Sequence, residues 1–285
     1  MTDLCNTFRN QASRVWHRTG DAAALKMRLN EETITEMALF EIALAQRNSR
    51  KFSVEVFTKA AEARNGADWE LWLVKKGRGV GFRVQSKRLY LSGKYEMLFK
   101  RGVGQAQKLI SSAATGNCAP LYCFYNHPNS AEKFNFPDSG CGHDYRGASR
   151  WGCALVDANQ VLGLYEDNIQ FLSPLSKPWH ELVCCKRGES LPDAGLRLVR
   201  ELRSGLEEKA MAPPAVELSD LPFHVVAMLA NRQDRASYFA LSDVDPPAYL
   251  SRRMPTLAER VSRSEALDFF PDGVAGIAVF TDERS

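Results

Sequence analysis

The sequence predicts an α/β protein in which helices flank a mixed central sheet. Two features of the chain favour this class. A helical segment at residues 30–47 precedes three strand-like segments at residues 52–57, 67–75 and 82–91. Further along, Pro120 to Tyr125 is continuously apolar, which is typical of a strand buried inside a sheet.

The N-terminal part of the chain is predicted to be helical. Residues 1–28 form a polar segment that we expect to lead into the fold. Thr33 and Glu36 have the spacing of a capping box, which is a signal of a helix start. The helix at residues 30–47 has an approximately apolar face, made by Ile34, Met37, Ala38, Leu44 and Ala45.

Turn signals separate the three strands. Phe52 to Phe57 alternates between apolar and polar residues. Asn65-Gly66 marks a turn, after which Ala67 to Lys75 forms the second strand. The glycine-rich turn from Lys76 to Gly81 leads into the third strand, Phe82 to Leu91. Strands with such short connections are expected to pair as an antiparallel meander.

The second half of the chain is predicted to extend the sheet. Ala212-Pro213-Pro214 indicates a boundary between a main domain, residues 1–211, and a C-terminal α/β extension, residues 212–285, which can belong to the same domain. The predicted elements are helices at residues 95–114 and 196–209, a loop at 126–149, and strands at 151–158, 179–185, 223–229 and 276–280.

The composition is that of an ordinary globular protein. The net charge is +3, and 45% of the residues are hydrophobic. No apolar run reaches the roughly 18 residues that a membrane helix requires, so no membrane partner is expected. The N-terminus lacks an apolar signal core, and the expected location is the cytoplasm. The seven cysteines are irregularly spaced, as expected of reduced thiols in that compartment.

Basic residues are concentrated between Val74 and Lys108, where Glu96 is the single acid. A segment of this charge suits a nucleic-acid backbone, and Arg83, Arg88 and Lys94 are the candidate phosphate contacts. The alternative is an ordinary solvated basic face. Nearby aromatic side chains are able to stack on bases, although the sheet core is the commoner place for them: Trp69, Trp72, Tyr90 and Tyr95.

The strands on either side of the glycine-rich turn carry the candidate chemistry. Side chains two residues apart on a strand point to the same side, so Asp68 shares a face with Glu70, and Gln85 with Lys87. If the two strands pair, a carboxylate, an amide and an ammonium group come together. Oxygen ligands of this kind hold Mg²⁺, which polarises phosphates and activates water. A lysine beside the metal orients that water or stabilises developing charge.

This order of residues resembles the core of the PD-(D/E)XK nucleases. A helical glutamate and a strand come first, Gly66-Ala67-Asp68 begins the next strand, and Gln85-Ser86-Lys87 lies on the strand after it. The glutamine variant is similar to Mrr-type restriction endonucleases. The strings GADWE and RVQSKRL also resemble a bacterial family near that superfamily. The superfamily resemblance covers residues 30–125.

The resemblance implies a restriction-endonuclease-like core and a defined activity. That activity is hydrolysis of DNA with Mg²⁺ or Mn²⁺, in bacterial defence against foreign DNA. Many relatives act as dimers, so a homodimer is one possible assembly. The residues leave open whether a ligand or a partner activates the protein.

The resemblance also implies roles for individual residues. Asp68 would be the principal metal ligand, Gln85 would bind the same metal or its water, and Lys87 would be the catalytic lysine. The helical acid is Glu32 or Glu36, with a slight preference for Glu32 because Glu36 also fits the capping box.

Three further carboxylates are open candidates. Glu41 is a weaker choice for the helical acid. Glu62 precedes the second strand and is able to approach the metal. Glu70 departs from the usual pattern and is either an extra ligand or a solvated side chain.

Two readings of the same residues exclude catalysis. In the first, Asp68 caps a turn while Gln85 and Lys87 line a solvated strand face. In the second, the nuclease fold is kept but binds nucleic acid or regulates a partner without cutting, because glutamine is a weaker metal ligand than a carboxylate.

Zinc binding and thiol chemistry are further alternatives. No CxxC or HxxxH pair is present to mark a structural zinc site. His180 is a conceivable general base, by itself or with Cys184 as a nucleophile, but it lacks a motif context. The candidate zinc ligands are Cys123, His127, Cys141, His143 and Cys153, of which the first and last lie in apolar strands.

Overall fold

The structure is a computed structural model. It describes residues 4–46, 52–56, 67–75, 78–95, 104–131, 134, 136–137, 140–143, 147–164, 166–209 and 276–281. The helices are α1 (Leu4–Ala24), α2 (Glu31–Gln46), α3 (Gly104–Thr115), α4 (Pro128–Ala131), α5 (Ala158–Leu162), α6 (Ile169–Leu172) and α7 (Leu191–Lys209). Short 3-10 helices span Ala148–Gly152, Ser173–Leu175 and Trp179–Val183.

The strands are β1 (Phe52–Val56), β2 (Trp69–Lys75), β3 (Arg78–Arg88), β4 (Cys118–Tyr125), β5 (Cys153–Asp157), β6 (Lys177–Pro178) and β7 (Gly276–Thr281). They form one mixed sheet in the order β1-β7-β2-β3-β4-β5-β6. β2 and β3 pair antiparallel, as predicted, and β3 and β4 pair parallel through the crossover helix α3. The predicted meander is wrong for β1, which pairs with β7 and not with β2. The predicted α/β class, a mixed sheet flanked by helices, is therefore confirmed.

The C-terminal strand β7 lies inside the sheet. It pairs antiparallel with β1 and parallel with β2. The strand predicted at residues 276–280 is therefore confirmed, and it belongs to the same sheet as the N-terminal strands. The predicted boundary at residues 212–214 and the strand at 223–229 lie outside the described residues.

Each face of the sheet has its own apolar core. Helices α1, α2 and α7 cover one face, where alternate residues such as Trp69, Val84 and Cys123 are buried. Helices α3, α5 and α6 cover the other face, where Tyr122 and Phe124 are buried. We call these the α2 face and the α3 face. Successive β3 residues point to opposite faces, which decides where each candidate site residue lies.

Helix α1 is a core helix and not the polar lead-in that we expected. Its residues Phe8, Ala12 and Trp16 are buried. Gly152 approaches α1 so closely that a Cβ atom at this position would lie 1.9 Å from the Ala12 carbonyl oxygen. The Trp179 indole also donates a 2.7 Å hydrogen bond to the Phe8 carbonyl.

Several predicted boundaries need correction. Helix α2 begins at Glu31, with the Ile34 N–H donating to the Asn30 carbonyl, so Thr33 lies inside the helix and no capping box forms there. The strand expected at residues 179–185 is a 3-10 helix over Trp179–Val183.

The two other predicted helices differ from the structure mainly at their starts. The helix expected from residue 95 is described only from residue 104. Helix α7 begins at Leu191, five residues earlier than predicted. A reciprocal capping box explains that start, because Asp193 accepts from the Ser190 N–H and the Ser190 hydroxyl accepts from the Asp193 N–H. No helix among the described residues is long and apolar enough to cross a membrane.

Candidate active site

Pairing of β2 with β3 places Asp68 opposite Gln85. Trp69 pairs with Val84, and Asp68 immediately precedes β2. The Gln85 Nε2 atom donates to both Asp68 carboxylate oxygens, at 2.9 and 2.8 Å. The Ser86 N–H donates to Asp68 Oδ2 at 2.7 Å. The carboxylate is therefore held in place at the edge of β3.

Lys87 lies on the same sheet face as Gln85, by the alternation of side chains along β3. Its side chain is almost buried, since the residue is only 5% exposed. Within the part of the chain that the structure describes, its ammonium group forms no ion pair or hydrogen bond. A nearly buried ammonium without a counter-ion is costly, so this position favours an anionic ligand.

Polar groups from α3 and β4 complete the α3 face around Gln85. The Gln105 amide donates to Gln85 Oε1 at 3.1 Å. Tyr122 pairs with Gln85 across β3 and β4, and its buried hydroxyl has no hydrogen-bond partner among the described residues. Burial and the nearby Asp68 carboxylate raise the pKa of Tyr122, which keeps the phenol neutral. An unpartnered buried hydroxyl is a position where a ligand or ordered water gains a hydrogen bond.

Glu31 is a helical acid that contacts β3 and that sequence analysis did not consider. Its Oε1 atom accepts from the Arg88 N–H at 3.3 Å. Ser86 N and Arg88 N lie on the same edge of β3, about 7 Å apart along the strand. The carboxylates of Asp68 and Glu31 therefore contact the same edge of β3, at N–H groups two residues apart.

The expected acids Glu32 and Glu36 are exposed residues of α2, whereas Glu31 is partly buried against β3. The choice of Glu32 or Glu36 as the metal ligand stays a prediction. Glu41 is committed to ion pairs with Arg14 and Arg18, and these partners, with Gln11, lower its pKa despite the opposing effect of partial burial. Glu62 lies outside the described residues.

A hydroxyl cluster on the α2 face fixes α2 over β3 and so positions Glu31. Thr35, one turn after Glu31, is 3.2 Å from the Ser86 hydroxyl and 2.7 Å from the Tyr125 hydroxyl. The Trp69 indole donates to the same Ser86 hydroxyl at 3.2 Å. Ser86, the middle residue of the Gln85-Ser86-Lys87 string, thus anchors the helix while its neighbours face the site.

Arg83 and Glu70 form a buried ion pair, contrary to both expectations for them. The Arg83 Nη2 atom is 2.9 Å from Glu70 Oε2, and Arg83 Nη1 donates to the Ser112 carbonyl at 2.6 Å. Trp72 donates its indole N–H to Glu70 Oε1. Arg83 is therefore unavailable to nucleic acid, and Glu70 is neither solvated nor available to a metal at Asp68.

Arg88 and Lys94 differ in how far they remain accessible. Arg88 is partly exposed, donates to the Leu29 carbonyl at 2.9 Å, and lies over the Tyr90 ring at 4.2 Å. Lys94 is exposed and pairs with Asp167 at 3.4 Å. A cavity of about 360 Å³ opens beside the end of β3, and its lining includes Lys26, Arg28, Arg88, Tyr90 and His127.

The other aromatic candidates belong to the core. Trp69, Trp72 and Tyr95 are buried, so they do not stack on bases, whereas Tyr90 is partly exposed at the basic cavity. The commoner interpretation, that such residues fill the sheet core, is correct for these three.

The zinc ligands expected from sequence do not come together as a set. Cys123 and Cys153 are buried in β4 and β5. His127 lines the basic cavity, and its pKa is lowered by burial and by the nearby Arg88 guanidinium. Cys141 and His143 instead meet two residues that we had not grouped with them, Cys5 and Cys184.

Comparison with known proteins gives a family but no activity. The model of a protein family described as a family of unknown function (DUF6615) matches residues 4–285. No curated protein matches the chain. The chemistry of the site is therefore argued from its residues.

Proposed function

We propose that this chain, which belongs to the DUF6615 family, is a metal-dependent nuclease of the PD-(D/E)XK type that hydrolyses DNA. The observation that carries the proposal is the contact of Asp68 with Gln85 on the face that also bears the nearly buried Lys87, whose ammonium group has no partner among the described residues. The order of α2, β1, β2, β3, α3 and β4 along the chain supports it.

The donor atoms at the site fit a hard divalent cation. Asp68, Gln85 and Glu31 offer only oxygen ligands, which Mg²⁺ and Mn²⁺ prefer. Bound there, the ion would polarise a phosphate and lower the pKa of a bound water. Gln85 now turns its NH₂ group towards Asp68, so its amide would have to rotate by half a turn to offer Oε1.

The protein's own groups would handle the phosphate. Lys87 would bind a non-bridging phosphate oxygen, because it is the nearly buried cation on the site face with no partner among the described residues. It would also stabilise the negative charge that develops when water attacks. The Tyr122 hydroxyl would donate a hydrogen bond to an oxygen at the site, which its present lack of a partner permits.

The basic cavity beside β3 would hold a neighbouring part of the DNA backbone. Arg28 and Arg88 line it together with Tyr90, next in sequence to the site strand. These cations, beside the C-terminal end of β3, would contact the phosphates that flank the scissile phosphate. By the same resemblance we propose action on foreign DNA in the cytoplasm, with homodimerisation as a further part of the proposal.

A specific contact favours one rival function, DNA binding without cleavage. The two oxygens of Asp68 already accept hydrogen bonds from a neutral amide and from the Ser86 N–H. The site is therefore stable without a cation, as a degenerate nuclease fold would need.

Cleavage of plasmid and linear DNA with Mg²⁺ or Mn²⁺ distinguishes these functions. We expect Asp68→Asn and Lys87→Ala each to reduce the cleavage rate by about 100-fold or more, because each removes a group that acts on the reacting phosphate or its metal. Asp21→Asn and Lys186→Ala, at exposed positions outside the site and outside the basic segment, are the matched controls and should cleave normally.

The rival predicts a different set of results. If the wild-type protein binds DNA but leaves it intact with either metal, and Asp68→Asn binds equally well, the degenerate function is correct. Equal cleavage by wild type and Asp68→Asn would instead place any activity elsewhere in the molecule.

A further inference from the structure

Four metal-ligating side chains from distant parts of the chain meet at one point. Cys5 comes from α1, Cys141 and His143 from a loop, and Cys184 follows the 3-10 helix Trp179–Val183. Their ligand atoms all lie within 4.8 Å of one another. We call these four residues the Cys₃His cluster.

The spacing within the Cys₃His cluster is that of a tetrahedral metal site. Cys141 Sγ is 3.6 Å from Cys5 Sγ and 3.3 Å from Cys184 Sγ. His143 Nδ1 is 3.6, 3.1 and 3.6 Å from the sulfurs of Cys5, Cys141 and Cys184. Zinc bonds of about 2.3 Å to sulfur and 2.0 Å to nitrogen place tetrahedral ligand atoms about 3.5 to 3.8 Å apart.

A disulfide does not account for this arrangement. None of the three cysteines is in a disulfide, and the sulfur–sulfur distances of 3.6 and 3.3 Å exceed a disulfide bond of about 2.05 Å by more than 1 Å. Three thiols and an imidazole that converge without a covalent bond need another reason to do so. A thiolate-binding cation supplies that reason, since zinc prefers such ligands.

The surroundings hold two of the ligands from outside the cluster. The Gly140 N–H donates to Glu181 at 2.9 Å, which fixes the loop that carries Cys141. Arg197 donates to the Cys184 carbonyl at 2.7 Å. Outer contacts of this kind orient the ligands of metal sites.

We propose that Cys5, Cys141, His143 and Cys184 bind one structural Zn²⁺ ion. Four protein ligands close the coordination shell, which distinguishes a structural site from a catalytic one. The ion joins the start of α1 to the 140–143 loop and to the end of the 3-10 helix. The site shares no residue with the Asp68 site, so it stands whether or not the protein is a nuclease.

Metal analysis of the purified full-length protein tests the proposal. We expect about one zinc ion per chain, as four protein ligands would hold it, and loss of most of it in Cys141→Ser and Cys184→Ser. The matched control is Cys185→Ser, which changes the adjacent cysteine outside the cluster and should keep wild-type zinc. Equal zinc in Cys141→Ser and wild type would overturn the assignment.

A second measurement serves if the serine variants do not fold. Cobalt(II) exchanged into the wild-type protein should give the strong visible bands of a tetrahedral site and a sulfur-to-cobalt charge-transfer band. A weak octahedral spectrum, or folded wild-type protein that contains no metal and takes up no cobalt, would refute the proposal. So would recovery of a Cys5–Cys141 disulfide as the native state under reducing purification.

Discussion

At the scale of single residues, the glutamine beside Asp68 decides how the site behaves without metal. Gln85 donates to both carboxylate oxygens. A glutamate in its place would set two negative charges in contact, which would raise the pKa of one carboxyl group. In the proposed nuclease, glutamine would keep the site ordered without a cation and would ligate the cation more weakly than glutamate. Lys87 is the complementary case, a cation that lacks a described partner.

Glu31 provides the sharpest test at the residue scale. We expect Glu31→Gln to weaken Mn²⁺ binding by about 10-fold to 100-fold, the range found when groups that support a metal site are removed. The amide preserves the shape of the side chain and its contact with the Arg88 N–H, and it removes only the charge. Calorimetric titration with Mn²⁺ measures the change.

The matched control is Glu36→Gln, an exposed residue of the same helix. Its Mn²⁺ affinity should equal that of the wild type. If Glu36→Gln weakens binding and Glu31→Gln does not, one of the two acids expected from the sequence would be the functional one, and the placement of Glu31 would be irrelevant to the metal.

Arg83 shows why charge in a sequence does not identify a binding residue. It lies in the basic segment, yet its charge is neutralised inside the protein by Glu70, which lies 13 residues earlier in the sequence. The absence of a side chain at Gly116 makes space for the Arg83 guanidinium, because a Cβ atom at residue 116 would lie 2.7 Å from Arg83 Nη2. Only the register of β2 against β3 reveals this pairing, since Glu70 is opposite Arg83.

At the scale of elements, successive β3 side chains point to opposite faces of the sheet and make different contacts on each face. Ser86 faces α2 and joins the Thr35 and Tyr125 hydroxyls, while Gln85 and Lys87 face α3. The helix that supplies Glu31 is therefore held by the residue between the two site residues. Sequence analysis identified the strand and the face that Gln85 and Lys87 share, but not which helix covers each face.

Helix α1 depends on a backbone contact at Gly152. We expect Gly152→Ala to lower the free energy of unfolding by about 2 kcal/mol or more, because overpacking against rigid backbone cannot be relieved by a side-chain rotation. Chemical denaturation followed by circular dichroism measures the loss. A fall below about 0.5 kcal/mol, within the range of ordinary surface changes, would contradict the close packing of α1.

Gly104→Ala is the control for this substitution. A Cβ atom at Gly104 meets nothing within 4 Å, and the residue begins α3. Alanine is the better helix former, so stability should be unchanged or slightly higher. The comparison separates the steric effect at residue 152 from the general effect of replacing glycine.

At the scale of the whole molecule, the sheet joins a strand near the C-terminus to strands from the first third of the chain. Strand β7 separates β1 from β2 and pairs with both. We expect a chain ending at residue 275 to aggregate, because the edge of β2 would lose its hydrogen-bonding partner. Size-exclusion chromatography measures this directly. A chain ending at Thr281 keeps β7 and should elute as the full-length protein does; equal behaviour of both truncations would show that β7 is dispensable.

The two proposed metal sites differ in the chemistry of their ligands as well as in their position. The site at Asp68 offers oxygen ligands, and the Cys₃His cluster offers sulfur and nitrogen. Magnesium and zinc therefore would not compete for the same ligands. Removing zinc would change stability through α1, and changing magnesium would alter only the reaction at β2 and β3.

Sequence patterns alone were enough to predict the α/β class, the strands up to β5, helix α2, strand β7, and the shared location of Asp68, Gln85 and Lys87 on one face of β2 and β3. These follow from local periodicity and from pairing across a short turn, which nearby residues encode. Tertiary structure decided the rest: the burial of α1, the choice of Glu31, the neutralisation of Arg83, and the meeting of Cys5 with Cys184. Each of these joins segments far apart in the chain, and no local pattern specifies which distant segments will touch when the sheet faces are covered.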